Sequence, residues 1–270
     1  MIQKRTIILI VLLIFVIAFS YFLNKSFIFQ HSQLGYYTID AGIIIDNYLE
    51  GKISLEAINS SKAGKDEGGI IYVNLWEDLE KDNVFDLEKR LEYLRKNYFD
   101  ISVKEIKMRD ELEKFKFSAP IGYYQLKKGL KKTIKFLKLQ RKAHEFMLKF
   151  KINHKKNNTN AISSLAKEIN LDDFFKYKIY FSYLICIKLF GSIYDNSIEL
   201  SKKELEILEE IKKENYSLYN LFASINDYKI KNFAKVKEDL EIYKRKDIKN
   251  LFFNYIYIIM DDAISKVNQE

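Results

Sequence analysis

Nineteen consecutive residues, Thr6 to Asn24, carry no charge, and most of them are Ile, Leu, Val or Phe. At about 1.5 Å of rise per residue, a helix of that length crosses roughly the hydrocarbon core of a bilayer. A core helix of a globular domain keeps a polar face, and this run has none. Residues 1–30 therefore read as a transmembrane signal-anchor. Lys4 and Arg5 precede the run, and after Lys25 no Lys or Arg follows until Lys52. The positive-inside bias leaves the N-terminus in the cytoplasm and sends residues 31–270 across the membrane. In a bacterium that means a single pass through the inner membrane with the bulk of the chain in the periplasm. A cleaved secretory signal is the alternative, because Ala18-Phe19-Ser20 has small residues at the spacing of a cleavage site. Tyr21-Phe22-Leu23 and Phe27-Ile28-Phe29 keep the stretch apolar beyond Ser20, which favours an anchor that is retained.

Composition narrows the rest. The 270 residues are 48% hydrophobic and 30% charged, with one Pro, nine Gly and one Cys. Collagen-like, disulfide-stapled and charge-driven disordered chains are excluded. A second thiol would be needed for an intramolecular disulfide or a Cys-based zinc site, and Cys186 stands far from any lipidation motif. Charge changes sign along the chain. Residues 31–117 have 13 basic and 18 acidic side chains, a net −5, whereas residues 118–270 have 29 and 19, a net +10. The change falls at Ser118-Ala119-Pro120, the only proline. Two domains after the anchor, 31–117 and 118–270, are the expected organisation.

Residues 31–117 read as a small α/β domain. Asp40 caps a short helix through Ile43 and Leu49 that Gly51 stops, Ser54 caps a second turn, and 60–69 is a polar loop. The run 70–75, Ile-Ile-Tyr-Val-Asn-Leu, has strand composition. Asp82 or Asn83 then opens an amphipathic helix whose Val84, Leu87, Leu91, Leu94 and Tyr98 share one face. Ile101 and Val103 form a second strand, which implies a right-handed crossover. Glu77, Asp78, Glu80 and Asp82 are dense enough to suggest a cation site, but they lack the spacing and the turn glycine of a calcium loop. They read as a solvated acidic stretch. Gly64, Gly68 and Gly69 do not have the order of a phosphate-binding loop.

Residues 118–270 are expected to be all helix, because only Gly191 occurs beyond Gly129 and no proline does. Pro120 suits the first turn of a helix capped by Ser118 that runs to about Ile152, and 153–160 reads as a joint. Asp172 or Asp173 caps a helix from Phe174 to Phe190, closed by Gly191. Ser201-Lys202-Lys203-Glu204 is a capping box for a helix burying Leu205, Leu208 and Ile211. Helices follow at 216–228, 233–243 and 248–267, with Asn232 and Asp247 as caps for the last two. Short joints make antiparallel hairpins that must stack to bury their faces. Around Ala223-Ser224, Lys231-Asn232-Phe233, Val236 and Leu240, the chain resembles one tetratricopeptide (TPR) repeat. It departs from that pattern in Val236 at a small position, in Lys231 where the turn glycine stands, and in lacking a closing proline. The resemblance implies a helical groove that holds a segment of another protein. The overall expectation is an α+β chain, mainly α: a transmembrane helix, a small α/β domain and a TPR-like helical domain.

From Lys127 to Lys156 there are twelve basic residues and one acid, Glu145. Lys127, Lys131, Lys135, Lys138, Lys142 and Lys149 fall on one helix face and are the candidate binding residues. Such a face serves an anionic membrane surface, an acidic protein or nucleic acid, or is simply solvated; nucleic acid is the poorest fit outside the cytoplasm. His31, His144 and His154 have no metal-ligand spacing, and Cys186 among Leu184, Ile185 and Ile187 reads as an inert core residue. No cofactor or metal is expected. The sequence points to a non-enzymatic envelope protein that binds another envelope protein, as scaffold or stabiliser, with homo-oligomerisation left open. The alternatives are a basic-helix module on an anionic membrane surface, and an envelope enzyme whose pocket unites groups such as Glu77, Asp78 and His144.

Overall fold

The computed structural model describes residues 6–24, 83–89, 91, 92, 95, 109, 110, 112–244 and 250–267. Among them the secondary structure is helical with no strand, so the mainly α part of the expected class is present. The strands expected at 70–75 and 101–103, the turns around Asp40 and Ser54, the glycine loop and the acidic cluster lie outside the described residues. The chain divides into two compact units, one of Met1–Gly42 with Lys96–Lys138 and one of Ile43–Arg95 with Leu139–Glu270.

In the first unit, α1 (Thr6–Asn24) is long and apolar enough to cross a membrane, with a mean hydropathy of 3.0. Its apolar side chains are exposed all round, as a lipid-facing helix requires. The long helix α3 (Pro120–Lys155) begins here. Ser118 does not cap it. The Ser118 hydroxyl instead donates back to the Phe115 carbonyl, and Ala119 is the residue before Pro120. The acceptor comes from α1, where Asn24 Oδ1 receives the Gly122 N–H at 2.9 Å. Behind this junction Leu112, Ala119 and Tyr123 form a small buried cluster with Phe115 and Leu126 packed on it.

In the second unit, α2 (84–89, helical again at 91, 92 and 95) starts as the periodicity requires. Asn83 Oδ1 accepts the Asp86 N–H at 3.0 Å, and Leu87 is fully buried. α3 continues to Lys155, so the expected joint at 153–160 shrinks to Lys156, Asn157 and Asn158. Asn157 takes φ 52°, a conformation Asn tolerates better than most residues, and the Asn158 side chain caps the next helix. That helix, α4 (Thr159–Glu168), was not expected. Its apolar signal is only Ile162, Leu165 and Ala166, and the asparagine-rich run masks its start.

α5 (Lys178–Tyr194) begins later than expected, because Asp172 and Asp173 open a separate 3₁₀ turn, Asp172–Phe174. Gly191 does not close α5 but lies within it. A Cβ there would stand 2.3 Å from the Ala166 Cβ, so this glycine lets α4 and α5 approach closely. Twelve of the 17 residues of α5 are buried, so the helix is enclosed on nearly every side. The capping box of α6 (Lys202–Glu214) is formed as expected. Leu205, however, is 51% exposed, and Glu204, Ile207, Leu208 and Ile211 take the inner face. Leu208 and Ile211 lie inward as expected, and Ile207 rather than Leu205 completes the buried stripe.

α7 (Tyr216–Lys229) and α8 (Phe233–Lys244) form a hairpin through Lys231, whose φ is 61°. α9 (Leu251–Val267) is capped by Asn250, whose Oδ1 accepts the N–H groups of Phe252 and Phe253. Asp247, the expected cap, lies outside the described residues. α7 packs against α5, α6, α8 and α9, and α8 against α9. Successive pairs α4–α5, α6–α7, α7–α8 and α8–α9 pack together, and α7 also reaches across one helix to α5 and to α9.

The second unit has an aromatic core. From the second half of α3, Phe150 sets its ring edge-on to Phe190 of α5 and to Phe252 of α9, and His144 meets Tyr180. Tyr183 of α5 touches Phe252 and Phe253 and receives the Asn250 amide at 2.8 Å. These aromatic contacts join α3, α5 and α9 in one core.

Candidate functional site

The six candidate lysines do not form one free cationic stripe. Lys127 is held: its ammonium donates to the Tyr123 hydroxyl at 2.6 Å and stands 3.0 Å from Glu113. The Tyr123 bond, then the Glu113 bond, raises the Lys127 pKa, while a hydrogen bond donated by the Tyr123 hydroxyl, then Lys127, lowers that of Glu113. Lys131, Lys135 and Lys142 are exposed, and Lys138 is half-buried. Lys149 pairs with Glu145 at 3.1 Å, and the same carboxylate takes Arg95 of α2 at 3.1 Å. Burial works against the charge on Glu145, but Lys149 and Arg95 together hold its pKa below the usual value. The spacing shows which lysines share a face; it is silent about acids that arrive from other segments, as Glu113 does.

Of the groups that an enzymatic reading would use, His144 is sealed and Glu77 and Asp78 lie outside the described residues. His144 is 1% exposed, and burial, helped by nearby Arg141, pushes its pKa down to about 3. It is a neutral core imidazole. Cys186 is fully buried, which pushes its thiol pKa far up and away from the reactive thiolate. His31 also lies outside the described residues. Among the described residues no three His, Cys, Asp or Glu side chains gather as metal ligands would.

A recess does open at the end of the second unit, where α3 stops. It holds about 730 Å³ between the last turn of α3, the C-terminal ends of α5 and α7, and α9, within the range of ligand pockets. Its floor is aromatic. His154 and the Tyr255 hydroxyl share a hydrogen bond of 3.0 Å, and the His154 ring meets Phe190 edge-on. Ile258 and Tyr194, 43% and 44% exposed, stand on its walls. Asp262 and Lys266, paired at 2.7 Å, mark the polar rim. Burial lowers the His154 pKa despite the nearby Asp262, so the imidazole is neutral at physiological pH. Burial also raises the Tyr194 pKa. The arrangement offers apolar contact with a few hydrogen-bonding groups around it, the His154–Tyr255 pair among them.

From sequence the recess's Tyr and Phe side chains read as ordinary core and His154 falls in the expected joint at 153–160. The available signal was the run from Phe252 to Met260, which is apolar on more faces than one buried stripe needs. No protein-family model, no curated protein and no solved structure matches this chain.

Proposed function

We propose that this chain is a membrane-anchored cell-envelope protein whose helical domain mediates protein–protein interaction, as scaffold or stabiliser of an envelope partner. In this reading α1 is a retained anchor in a bacterial inner membrane, with the N-terminus in the cytoplasm and residues 31–270 in the periplasm. Residues 31–117 enter it as a small α/β domain, on the strength of the β-rich runs at 70–75 and 101–103. The helical domain is TPR-like in shape, a view supported by the neighbour pattern of α5 to α9 and by the left-handed backbone of Lys231, where the repeat carries its glycine.

One observation carries the reading: the recess beside His154 and Tyr255 is open and lined mainly by apolar and aromatic side chains. An apolar side chain of a partner segment fits there, with its backbone near Asp262 and Lys266. Aromatic-walled recesses of this kind supply the anchor points of protein interfaces. The reading is of a binding module rather than an enzyme, because the described His144 and Cys186 are closed to substrate.

The test is photo-crosslinking in native membranes. A photoreactive side chain at Ile258 is expected to give a discrete adduct with another protein, lost on Tyr194→Glu. The same side chain at Leu205, on an exposed face outside the recess, is expected to give none. Equal labelling from both positions, or no adduct from Ile258, would overturn the proposal.

A further inference from the structure

A patch in the first unit has a different chemistry from the recess. Phe117, in the turn leading into α3, is 92% exposed, and Ile121 and Tyr124 are each 61% exposed. At about 100° per residue, Ile121, Tyr124, Lys128, Lys131 and Lys135 fall within roughly 80° of the helix circumference. Lys128, Lys131 and Lys135 are all exposed. The other side of the same turns is occupied, since Gly122 is buried against Asn24 and Tyr123 against Leu112 and Ala119. The outward arc is therefore apolar at its base and basic from the second turn onward. Lys116, with its ammonium 5.8 Å from the centre of the Phe117 ring, adds a further cation.

The location of this patch is fixed by Asn24. It is the last residue of α1, and its bond to the Gly122 N–H ties the first turn of α3 to the end of the membrane-crossing helix. Large apolar groups gathered at the foot of an anchor, with lysines above them, match the layering of a bilayer surface. Tyr and Phe suit the headgroup level, and Lys stems lie along apolar surface while their ammonium groups reach phosphate.

We propose that Phe117, Ile121 and Tyr124 insert into the interfacial layer of the bilayer that α1 spans, while Lys128, Lys131 and Lys135 bind its anionic phospholipid headgroups. The proposal rests on the reading of α1 as a membrane anchor. Its consequence is that the start of α3 is fixed at the membrane surface rather than swinging on a linker, with the apolar insertion and the anionic attraction acting together.

The experiment uses the full chain in vesicles of phosphatidylcholine with phosphatidylglycerol. An environment-sensitive fluorophore is placed at Ile121→Cys, at Val16→Cys within α1, or at Leu205→Cys; buried Cys186 stays unlabelled. The label at Ile121→Cys is expected to be quenched by lipid-borne spin labels and shielded from aqueous iodide, as at Val16→Cys, with Leu205→Cys showing the reverse. Replacing Lys128, Lys131 and Lys135 together by Gln is expected to abolish most of the lipid quenching at Ile121→Cys, and added salt to weaken it. Free iodide access at Ile121→Cys, with Val16→Cys still lipid-quenched, would overturn the surface insertion and leave the anchor standing. Indifference to the lysine replacements would overturn headgroup binding. Free iodide access at Val16→Cys would overturn the anchor and this proposal with it.

Discussion

The Lys188 ammonium lies 2.7 and 3.0 Å from the two carboxylate oxygens of Glu204, and the two side chains are only 15% and 5% exposed. One of those oxygens also accepts the Ser201 N–H at 2.7 Å, closing the capping box of α6. A single carboxylate thus starts α6 and fastens it to α5. Removing one partner of a buried pair leaves an uncompensated charge, at a cost of about 3–5 kcal/mol. Glu204→Ala is expected to reach that range, because it loses the cap as well. Lys188→Met combined with Glu204→Leu is expected to cost clearly less than the two single changes added together. Urea unfolding of the detergent-solubilised chain checks this, and additive costs would show that the two groups are not coupled.

Gly191 and Ala166 set the spacing of α4 and α5, since a Cβ on Gly191 would stand 2.3 Å from that of Ala166 and 3.4 Å from the Ile162 carbonyl oxygen. Gly191→Ala is expected to destabilise by roughly 1–3 kcal/mol through overpacking, despite its better helix propensity. Ala166→Gly in the same chain removes the opposing methyl and is expected to restore much of the loss. Thermal unfolding of the single and double variants separates this account from a simple glycine stop, which predicts no rescue.

The same glycine shows where sequence legibility ends. α1, the Ser201–Glu204 capping box, the start of α2 and the hairpin of α7 and α8 all rest on local signals, and each is present. Locally Gly191 reads as a helix end, whereas its role comes from a helix nearby in space. Spacing places Leu205 inward with Leu208 and Ile211, but Ile207 takes that place and Glu204 is buried on the same side, paired with Lys188. The basic face of α3 was legible as a pattern. Its division was not, because Glu113 and Arg95 come from segments that periodicity does not connect to it. The recess follows from where α3 stops among α5, α7 and α9, which is a tertiary fact.

Two buried groups tilt the pH dependence in opposite directions. His144 has its pKa pushed from 6.5 to about 3 by burial and by Arg141. The unfolded chain binds that proton more readily, so His144 removes stability as pH falls below about 6.5. Asp239 has its pKa raised from 3.8 to about 6 by burial, with nearby Asp227 adding to the rise and Lys235 opposing it. The folded chain holds that proton more tightly, so Asp239 removes stability as pH rises from about 4 to 6. Relative to the parent chain, His144→Gln is therefore expected to gain stability as the pH is lowered, and Asp239→Asn as it is raised. Melting temperatures across this range check both signs; His154, also lowered by burial, leaves a residual acid limb in the His144 variant.

Asn24 joins the end of α1 to the start of α3, and the join is a capping interaction supplied from another helix. Pro120 has no N–H, Ala119 has no side-chain acceptor, and the Ser118 hydroxyl is turned to Phe115. The Gly122 N–H therefore depends on Asn24 Oδ1, while the Asn24 amide donates to the Ser20 carbonyl at 2.6 Å and holds its own side chain in place. Losing a cap of this kind costs about 1 kcal/mol. Asn24→Ala is expected to raise hydrogen exchange at the Gly122 amide by roughly fivefold. Asn24→Asp keeps the acceptor oxygen and is expected to retain more of the protection. Ala119→Ser in the Asn24→Ala chain places an acceptor at the ordinary capping position and is expected to bring protection back. Unchanged exchange in Asn24→Ala would mean that the first turn of α3 is held by something other than α1.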